Sequence, residues 1–295
     1  MSSAATRLVG LIGWPVDQSL SPAIHNAAFD ALGLNWRYVS LPVLPEAGAE
    51  SVRGLATLGF AGANVTVPHK RAVMSTLDAV TSDVEAIGAV NTIVIQRTEQ
   101  EAITYGHNTD WSGFADSLQQ AGFDSSGGTA VVVGAGGSAR AVVFGLLRAG
   151  IDCVHVLSRR PEQARLLAAD LKEAGADSRS RVCPDRLSDE VLIGRTREAS
   201  LLVHATPIGM WPDTTGSIWP ETVGLPSHLL VYDLVYVPRR TRLLRQARHS
   251  GAAALGGLDM LVEQGARAFT LWTGANAPVD IMREACEREL RGRGG

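Results

Sequence analysis

The alternation of apolar and polar positions divides the chain into short strand-like runs separated by helix-like segments. Apolar runs at 8–13, 36–41 and 60–67 have the length and continuity of buried strands. The segment 45–58 has a helical pattern that stops near a glycine. Strands that alternate with helices in this way predict an α/β fold.

A glycine-rich stretch in the middle of the chain indicates a phosphate-binding turn. Residues 131–140 read V-V-V-G-A-G-G-S-A-R, and a helical pattern follows through Leu147. Gly134 would permit a tight turn, Gly136 would let a pyrophosphate approach the backbone, and Ala139 is small enough for helix-on-strand packing. Helix N-terminal amides would then face the anion. A purely structural turn is the alternative interpretation, but the strand and helix on either side favour a dinucleotide.

The residues after the next strand-like run favour NADP over NAD. The run at 153–157 ends in Ser158, Arg159 and Arg160, where an NAD-binding fold usually has an acidic residue that binds the ribose 2′-hydroxyl. The arginines could simply lie on a solvated helix start, but the missing acid favours a 2′-phosphate. The segment 205–210, which follows a strand-like run at 200–204, has the position of a cofactor-contacting loop.

Polar side chains at strand ends are the candidate substrate ligands of the first half. On a strand, Asn64 and Thr66 share one face, and Lys70 lies just past its end, where ligands bind in open α/β sheets. An isolated lysine there is more often exposed. Ser21, followed by proline, is expected to cap a helix, and the hydroxyl of Ser19 beside that helix start would suit a carboxylate.

Two further polar residues and the C-terminal segment complete the pattern. Asn91 lies at the mouth of an apolar run, and Asp110 stands where it could cap a helix. Helices are predicted at 257–272 and 279–290, with no strand after Ala254. The C-terminal helices are therefore expected to pack back on the first domain.

Composition restricts the class of protein without identifying it. The chain has 295 residues, enough for two domains, and 45% hydrophobic with 19% charged residues is ordinary for a globular protein. A net charge of -3 argues against nucleic acid as a partner. The cysteines Cys153, Cys183 and Cys286 are far apart and lack C-x-x-C spacing, so we expect buried free thiols and no metal site. The N-terminal residues show no signal peptide or membrane span, which favours the cytoplasm.

Taken together, the motifs resemble those of the shikimate dehydrogenase family, in that family's order and over nearly the whole chain. They are S-x-S-P (19–22), N-V-T-x-P-x-K (64–70), G-A-V-N-T (88–92), N-T-D (108–110), G-A-G-G-x-x-R (134–140), A-T-P-x-G-M (205–210), Y-D-x-x-Y (232–236) and G-x-x-M-L-x-x-Q (257–264).

The resemblance implies a fold, a reaction and a set of site residues. Residues 1–110 together with 258–295 would form the substrate-binding and catalytic α/β domain, and 111–257 a Rossmann-type NADP-binding domain. Family members reduce 3-dehydroshikimate to shikimate with NADPH, a step of aromatic amino-acid biosynthesis. The catalytic pair implied is Lys70 and Asp110. The implied substrate ligands are Ser19, Ser21, Asn64, Thr66, Asn91, Tyr236 and Gln264. The cofactor-binding residues are Gly134, Ala135, Gly136, Gly137, Ser138, Ala139, Ser158, Arg159, Arg160, Thr206, Met210 and Gly257.

Three positions depart from the family pattern. Gln18 stands where many relatives have histidine, His107 where an acidic residue is frequent, and His204 where asparagine is usual. A quinate/shikimate or aminoshikimate-type dehydrogenase is therefore the enzymatic alternative. An NADP-responsive binding protein on the same fold is the non-enzymatic alternative, against which Lys70 and Asp110 count. The expected partners are small molecules, with no nucleic acid or membrane, for a monomer or homodimer.

Overall fold

The computed structural model describes residues 6–173 and 180–293 and has the predicted α/β fold. The chain forms two compact units, the first comprising Met1–Gly113 and Val262–Gly295 and the second Phe114–Leu261. Among the described residues, each helix is either too short or too polar to serve as a transmembrane span.

The elements alternate along the chain as the apolar pattern predicts. The strands are β1 (Arg7–Gly13), β2 (Trp36–Pro42), β3 (Gly62–Val65), β4 (Ala79–Val80), β5 (Thr92–Arg97), β6 (Ala102–His107), β7 (Thr129–Val133), β8 (Cys153–Ser158), β9 (Arg181–Arg186), β10 (Leu201–His204), β11 (Leu230–Asp233) and β12 (Ala253–Gly256). The helices are α1 (Ser21–Ala31), α2 (Gly48–Leu58), α3 (Ser82–Ile87), α4 (Asp110–Gln120), α5 (Gly137–Arg148), α6 (Pro161–Glu173), α7 (Asp189–Thr196), α8 (Arg242–His249), α9 (Leu258–Thr273) and α10 (Val279–Arg293), with 3₁₀ turns at Pro45–Ala47 and Met74–Thr76.

The first unit is built on a mixed sheet in the order β2-β1-β3-β5-β6-β4. Strands β1, β2 and β3 are parallel, whereas β5 runs antiparallel to both β3 and β6. The C-terminal ends of β1 and β3 therefore lie at the same end of the sheet, where the chain leaves β3 toward Lys70. Most of the polar candidate residues of the first half lie at this end of the sheet.

Helix α10 and most of α9, from Val262 onward, belong to the first unit, as predicted. Helix α10 packs against α1, whose apolar stripe includes the fully buried Ile24 and Ala28. His25 of α1 is also fully buried, with its ring stacked on that of Tyr38 at a centroid distance of 4.5 Å and tilted against that of Trp272 of α9 at 5.2 Å. Burial lowers the pKa of His25 to about 3, and the nearby Asn64 opposes the shift only in part, so the imidazole is neutral in the folded protein.

The second unit is a parallel sheet in the order β12-β11-β10-β7-β8-β9. Counted from β7, this is the 3-2-1-4-5-6 order of doubly wound dinucleotide-binding folds, with its switch point between β7 and β10. Val131, Val132 and Val133 of β7 are fully buried, because both faces of a central parallel strand are covered.

Several elements of the second unit were not predicted. Strand β9 contains arginines and a proline and is only partly buried, as suits the edge of a sheet, so its sequence lacks an apolar run. Helix α7 spans only eight residues. Strand β12 extends to Gly256 at the opposite edge, so the expectation of no strand after Ala254 was wrong. In the first unit, the two-residue strand β4 was also missed.

The predicted helix cap at Ser21 is also wrong. The N-cap residue of α1 is Leu20, whose side chain makes no capping hydrogen bond, whereas Ser21 is the first helical residue. Its backbone N–H instead donates to the hydroxyl oxygen of Ser19 at 3.2 Å. The proline at position 22 does lie in the first turn, where its missing N–H costs no hydrogen bond.

Candidate active site

The first unit holds a buried ion pair between Lys70 and Asp110. The ammonium Nζ lies 2.5 Å from Asp110 Oδ2, and the two side chains are 12% and 6% exposed. The other carboxylate oxygen accepts a hydrogen bond of 2.8 Å from Asn91 Nδ2. Both oxygens of Asp110 are thus occupied, which fixes the carboxylate against the ammonium group.

The loop that carries Lys70 is held in place on both sides. The adjacent His69 is fully buried, and its Nε2 lies 2.8 Å from the carbonyl of Val43. The carbonyl of Lys70 accepts a 2.7 Å hydrogen bond from the N–H of Val90. The ammonium group is therefore presented from a constrained backbone, unlike that of a mobile surface lysine.

Asn91 connects the ion pair to α9. Its side-chain nitrogen Nδ2 lies 2.9 Å from Thr109 Oγ1 and 3.2 Å from Gln264 Oε1. Its side-chain oxygen Oδ1 accepts from the backbone N–H of Thr109 at 2.7 Å. A side chain at Gly113 would meet the backbone nitrogen of Gln264 at 2.7 Å, so glycine permits the close approach of α4 and α9. Four predicted site residues, Lys70, Asn91, Asp110 and Gln264, therefore meet in one network.

Asn64 and Thr66 lie beside this network at the end of β3. The side-chain oxygen of Asn64 accepts from the Tyr38 hydroxyl at 2.9 Å, and its amide nitrogen donates to Thr92 Oγ1 at 3.0 Å. Thr66 is half-buried, and its methyl group stands 2.2 Å from where a side chain at Gly13 would begin. Gly13 thus leaves room for Thr66 at the edge of the sheet.

The Ser19 hydroxyl is arranged as a hydrogen-bond donor. Its oxygen already accepts from the N–H of Ser21, and its proton has no acceptor in the part of the chain that the structure describes. Ser19 is half-buried, whereas Ser21 is 5% exposed. A carboxylate is an acceptor of the kind that this hydroxyl lacks.

The glycine-rich turn of the second unit has the geometry that close approach of a ligand requires. Gly134 has φ +124°, and a side chain there would lie 2.7 Å from the carbonyl oxygen of Ala205. At Gly136 an added Cβ would meet nothing within 4 Å, so the space in front of α5 is open. Ala139 is fully buried where α5 packs on the sheet. These features fit a pyrophosphate at the start of α5.

Arg159 and Arg160 follow β8 with their guanidinium groups exposed. Neither forms an ion pair within residues 6–173 and 180–293. Ser158 is buried, and its hydroxyl accepts from the N–H of Arg160 at 3.2 Å, which shapes the turn. Two uncommitted positive charges at this strand end fit a phosphate of the cofactor.

A buried network holds the loop after β10. His204 Nδ1 lies 2.8 Å from Asp233 Oδ1, and its Nε2 lies 2.5 Å from Thr206 Oγ1. The second carboxylate oxygen accepts from the Thr241 hydroxyl at 2.6 Å. Because His204 and Asp233 are both 1% exposed, the network fixes Thr206, while Met210 at the end of the loop is 44% exposed.

Two further predicted site residues, Tyr236 and Gly257, follow β11 and β12. Tyr236 is half-buried in the second unit, three residues beyond β11. Gly257 precedes α9, and a side chain there would lie 2.1 Å from the carbonyl oxygen of Leu234. Close backbone packing therefore accounts for glycine at 257, and its contact with a cofactor stays a prediction.

Comparison with known proteins identifies the family. The family model described as the shikimate dehydrogenase substrate binding domain matches residues 11–93, and that of the shikimate 5'-dehydrogenase C-terminal domain matches 257–287. The chain is 47% identical over 290 residues to the shikimate dehydrogenase (NADP(+)) of Methanopyrus kandleri, covering 98% of this chain and 97% of that protein. The chain belongs to the shikimate dehydrogenase family.

Solved structures of the shikimate dehydrogenase family share the fold. The Thermus thermophilus shikimate 5-dehydrogenase in complex with NADP(H) and shikimate superimposes with a TM-score of 0.81 at 37% identity, over 96% of this chain and 99% of that one. The Corynebacterium glutamicum quinate dehydrogenase in complex with NAD has a TM-score of 0.83 at 32% identity, over 96% and 99%. A shikimate dehydrogenase and a quinate dehydrogenase thus share this fold.

Some polar residues near the family motifs were missed by sequence reasoning. Thr92 and Thr109 stand inside two motifs but were not assigned a role, although both bond the amides of Asn64 or Asn91. Tyr38 lies in an ordinary strand pattern that gives no sign of its bond to Asn64. Asp233 was quoted only as part of a motif, and its pairing with His204 explains how a histidine is accommodated at that position.

Proposed function

We propose that this chain catalyses the reversible, NADPH-dependent reduction of 3-dehydroshikimate to shikimate. The observation that carries the proposal is the buried Lys70–Asp110 pair, at 2.5 Å, in a chain 47% identical to a shikimate dehydrogenase (NADP(+)). The reaction needs one acid–base group at the oxygen that changes between carbonyl and hydroxyl, and Lys70 is a group of that kind.

Lys70 acts on the oxygen of the reacting carbon. Its ammonium group donates a hydrogen bond that polarises the substrate carbonyl and supplies a proton as the alcohol forms. NADPH, when bound, supplies the hydride. Asp110 accepts from Nζ and keeps the ammonium oriented, while Asn91 holds the carboxylate from its other oxygen. In the reverse direction, Lys70 takes up the proton of the substrate hydroxyl.

Substrate binding is assigned to polar side chains in the family motifs. Ser19 and Ser21 bind the carboxylate of the substrate, since the Ser19 proton has no acceptor in the described chain. The remaining predicted ligands bind the ring hydroxyls: Asn64, Thr66, Asn91, Gln264 and Tyr236. The proposed division gives residues 1–110 and 258–295 to substrate binding and 111–257 to the cofactor.

The cofactor is assigned to the loops at the ends of β7, β8 and β10. The turn with open space at Gly136 would hold the pyrophosphate, and Arg159 and Arg160 would pair with the 2′-phosphate. The full set proposed is Gly134, Ala135, Gly136, Gly137, Ser138, Ala139, Ser158, Arg159, Arg160, Thr206, Met210 and Gly257.

A turnover assay with shikimate and NADP tests this function. We expect hydride transfer with that pair and a much lower efficiency with quinate or with NAD. A higher efficiency with quinate would favour the quinate/shikimate alternative. The similarity to a quinate dehydrogenase supports testing that substrate. Binding of NADP without turnover of any cyclic alcohol would favour the non-enzymatic alternative.

The carboxylate assignment predicts a specific loss on Ser19→Ala. We expect substrate binding to weaken by roughly 1–3 kcal/mol, the usual cost of leaving a charged acceptor without its donor. Ser19→Ala is a cleaner test than Ser21→Ala because Ser21 is almost fully buried. The measurement is the Michaelis constant for shikimate, with the exposed Ser75→Ala as a matched control. An unchanged constant in Ser19→Ala would remove this serine from the carboxylate site.

The NADP assignment predicts that Arg159→Ala lowers efficiency with NADP about 10- to 100-fold, because one charge-assisted hydrogen bond contributes about 1.5–3 kcal/mol. Efficiency with NAD should hardly change, since a 2′-hydroxyl gives the guanidinium no anion to bind. The ratio of efficiencies with the two cofactors is compared with that of Arg165→Ala, an exposed arginine of α6 that removes the same charge. An equal loss with both cofactors in Arg159→Ala would contradict the assignment.

The oligomeric state and the cellular location of the protein also remain predictions. We expect a monomer or homodimer that acts on small molecules in the cytoplasm, with neither nucleic acid nor membrane as a partner. Light scattering on the purified chain measures the first of these directly.

A further inference from the structure

Two cysteines and a histidine meet on one face of the parallel sheet in the second unit. Cys153 and His155 are two residues apart in β8, and Cys183 is paired with His155 in the neighbouring strand β9. Side chains two apart on a strand point to the same side, and the register places Cys183 on that side as well. The spacing along the chain gave no sign of this group.

The distances among the three ligand atoms suit one metal ion. Cys153 Sγ lies 3.8 Å from Cys183 Sγ and 3.8 Å from His155 Nε2, and all three atoms are within 4.8 Å of one another. Two sulfurs bound to one tetrahedral zinc at about 2.3 Å are separated by about 3.8 Å. The ligand atoms thus already stand close to the vertices of such a tetrahedron.

The backbone geometry disfavours a disulfide as the explanation for the sulfur contact. Cys153 is paired with Arg181, so Cys183 lies two residues further along the next strand. With strands about 4.8 Å apart and a rise of about 3.3 Å per residue, the two Cα atoms are about 8 Å apart. Cysteines more than about 7 Å apart cannot be bridged without backbone movement.

A carboxylate stands behind the histidine, as it does in many metal sites. His155 Nδ1 lies 3.6 Å from Asp185 Oδ2, and this buried nitrogen has no closer hydrogen-bond partner. Metal-bound histidines commonly give their second N–H to a carboxylate, which fixes the ring and makes the metal-bound nitrogen more basic. Asp185 is itself held by Arg195 of α7, whose Nη2 lies 3.0 Å away.

The charges around the group are compatible with a dication. Two thiolates neutralise the charge of a bound Zn²⁺, and Asp185 and Arg195 neutralise each other. Among the described residues, the other cation whose charge acts on the group is Arg181, which is paired with Cys153 across the strands. A neutral zinc–dithiolate centre therefore meets little repulsion there. Access from solvent is open, since His155 and Cys183 are only half-buried.

The group is separate from the proposed active site. Cys153 begins β8, whereas Ser158, at the other end of the strand, precedes the two arginines assigned to the cofactor. Five residues of extended chain correspond to about 16 Å. A metal at this place would affect the stability of the edge of the sheet, because β9 is its outermost strand on that side.

We propose that Cys153, His155 and Cys183 form a zinc-binding site, with water as the fourth ligand, that fastens the edge strand β9 to β8. Soft thiolates with an imidazole are the donor set that selects zinc over harder cations such as Mg²⁺. The site is independent of the proposed dehydrogenase activity, since none of its ligands belongs to the assigned substrate or cofactor residues.

Cobalt titration of the reduced full-length chain tests the site. We expect one equivalent of Co²⁺ to bind, with thiolate charge-transfer absorption in the near ultraviolet and visible bands of tetrahedral Co²⁺. Zn²⁺ should then displace it, because zinc binds such sites more tightly than cobalt. Binding of Zn²⁺ should also raise the melting temperature, since the metal binds the folded chain.

Matched variants locate the ligands. Cys183→Ser should weaken or abolish the charge-transfer band, because Cys153 is then the one thiolate left in the group, and Asp185→Asn should lower Zn²⁺ affinity about 10- to 100-fold while keeping the band. Cys286→Ala removes the third cysteine, which lies in α10, and should change neither readout. Absence of stoichiometric binding, or an unchanged band in Cys183→Ser, would overturn the proposal. A Cys153–Cys183 disulfide found by mass spectrometry, together with no cobalt binding after reduction, would overturn it as well.

Discussion

Replacing Lys70 with alanine is expected to lower turnover about 10²- to 10⁴-fold, the range typical for loss of a positioned acid–base group. The structure gives the group a fixed position, because Nζ contacts Asp110 at 2.5 Å and the loop backbone is bonded to Val90. NADP affinity should remain, since the assigned cofactor residues lie in the second unit. Turnover and NADP affinity are to be measured on the same preparation.

Two further variants separate catalysis from folding. Lys70→Met keeps the length of the side chain but has no proton to transfer, and it should lose activity to the same extent. Arg71→Ala removes an adjacent exposed cation and should keep activity. If Lys70→Met retained most of the turnover, Lys70 would not be the acid–base group.

The stability of the folded chain is expected to depend on pH through His25. Its pKa is about 3 in the folded state, because of complete burial, against about 6.5 when exposed. Between these values the unfolded chain binds a proton that the folded chain does not. The stability linked to neutral His25 is therefore fully present above pH 6.5 and is lost as the pH falls toward 3, on the order of 5 kcal/mol in total.

Urea unfolding of wild type and His25→Phe across that pH window measures this contribution. The variant should show the weaker dependence on pH, whatever the packing cost of the larger ring, because that cost is the same at every pH. His228→Phe, which replaces an exposed histidine, serves as the control. Equal pH slopes for wild type and His25→Phe would contradict the assignment.

The sequence predicted the buried central elements well because their signals are local. The valines of β7 and the glycines that follow form an uninterrupted pattern, and the structure has the strand, turn and helix there. Strand β9 could not be found in this way, since an edge strand that keeps one side in solvent needs no apolar run. Its pairing with β8 depends on register, which is fixed by packing across the sheet.

Long-range pairings explain the remaining gaps in the candidate site. Taken alone, Lys70 was expected to be exposed, and that expectation was wrong because Asp110, forty positions later, pairs with it in the fold. His204 and Asp233 are likewise partners in neighbouring parallel strands. The periodicity of the sequence does not reveal such neighbours. From the sequence, Lys70 and Asp110 were predicted to be a pair only because several motifs resemble one family.

The order of synthesis matters for a chain whose first unit is closed by its last helices. On the ribosome, all of 114–261 emerges before α10, the helix that packs against α1. The inserted second unit can therefore complete its sheet before the first unit has the helix α10, which packs against α1. During that interval α1, whose Ile24 and Ala28 are fully buried in the finished fold, lacks the helix that packs against it. A nascent chain of this architecture therefore keeps part of α1 uncovered until α10 has been synthesised.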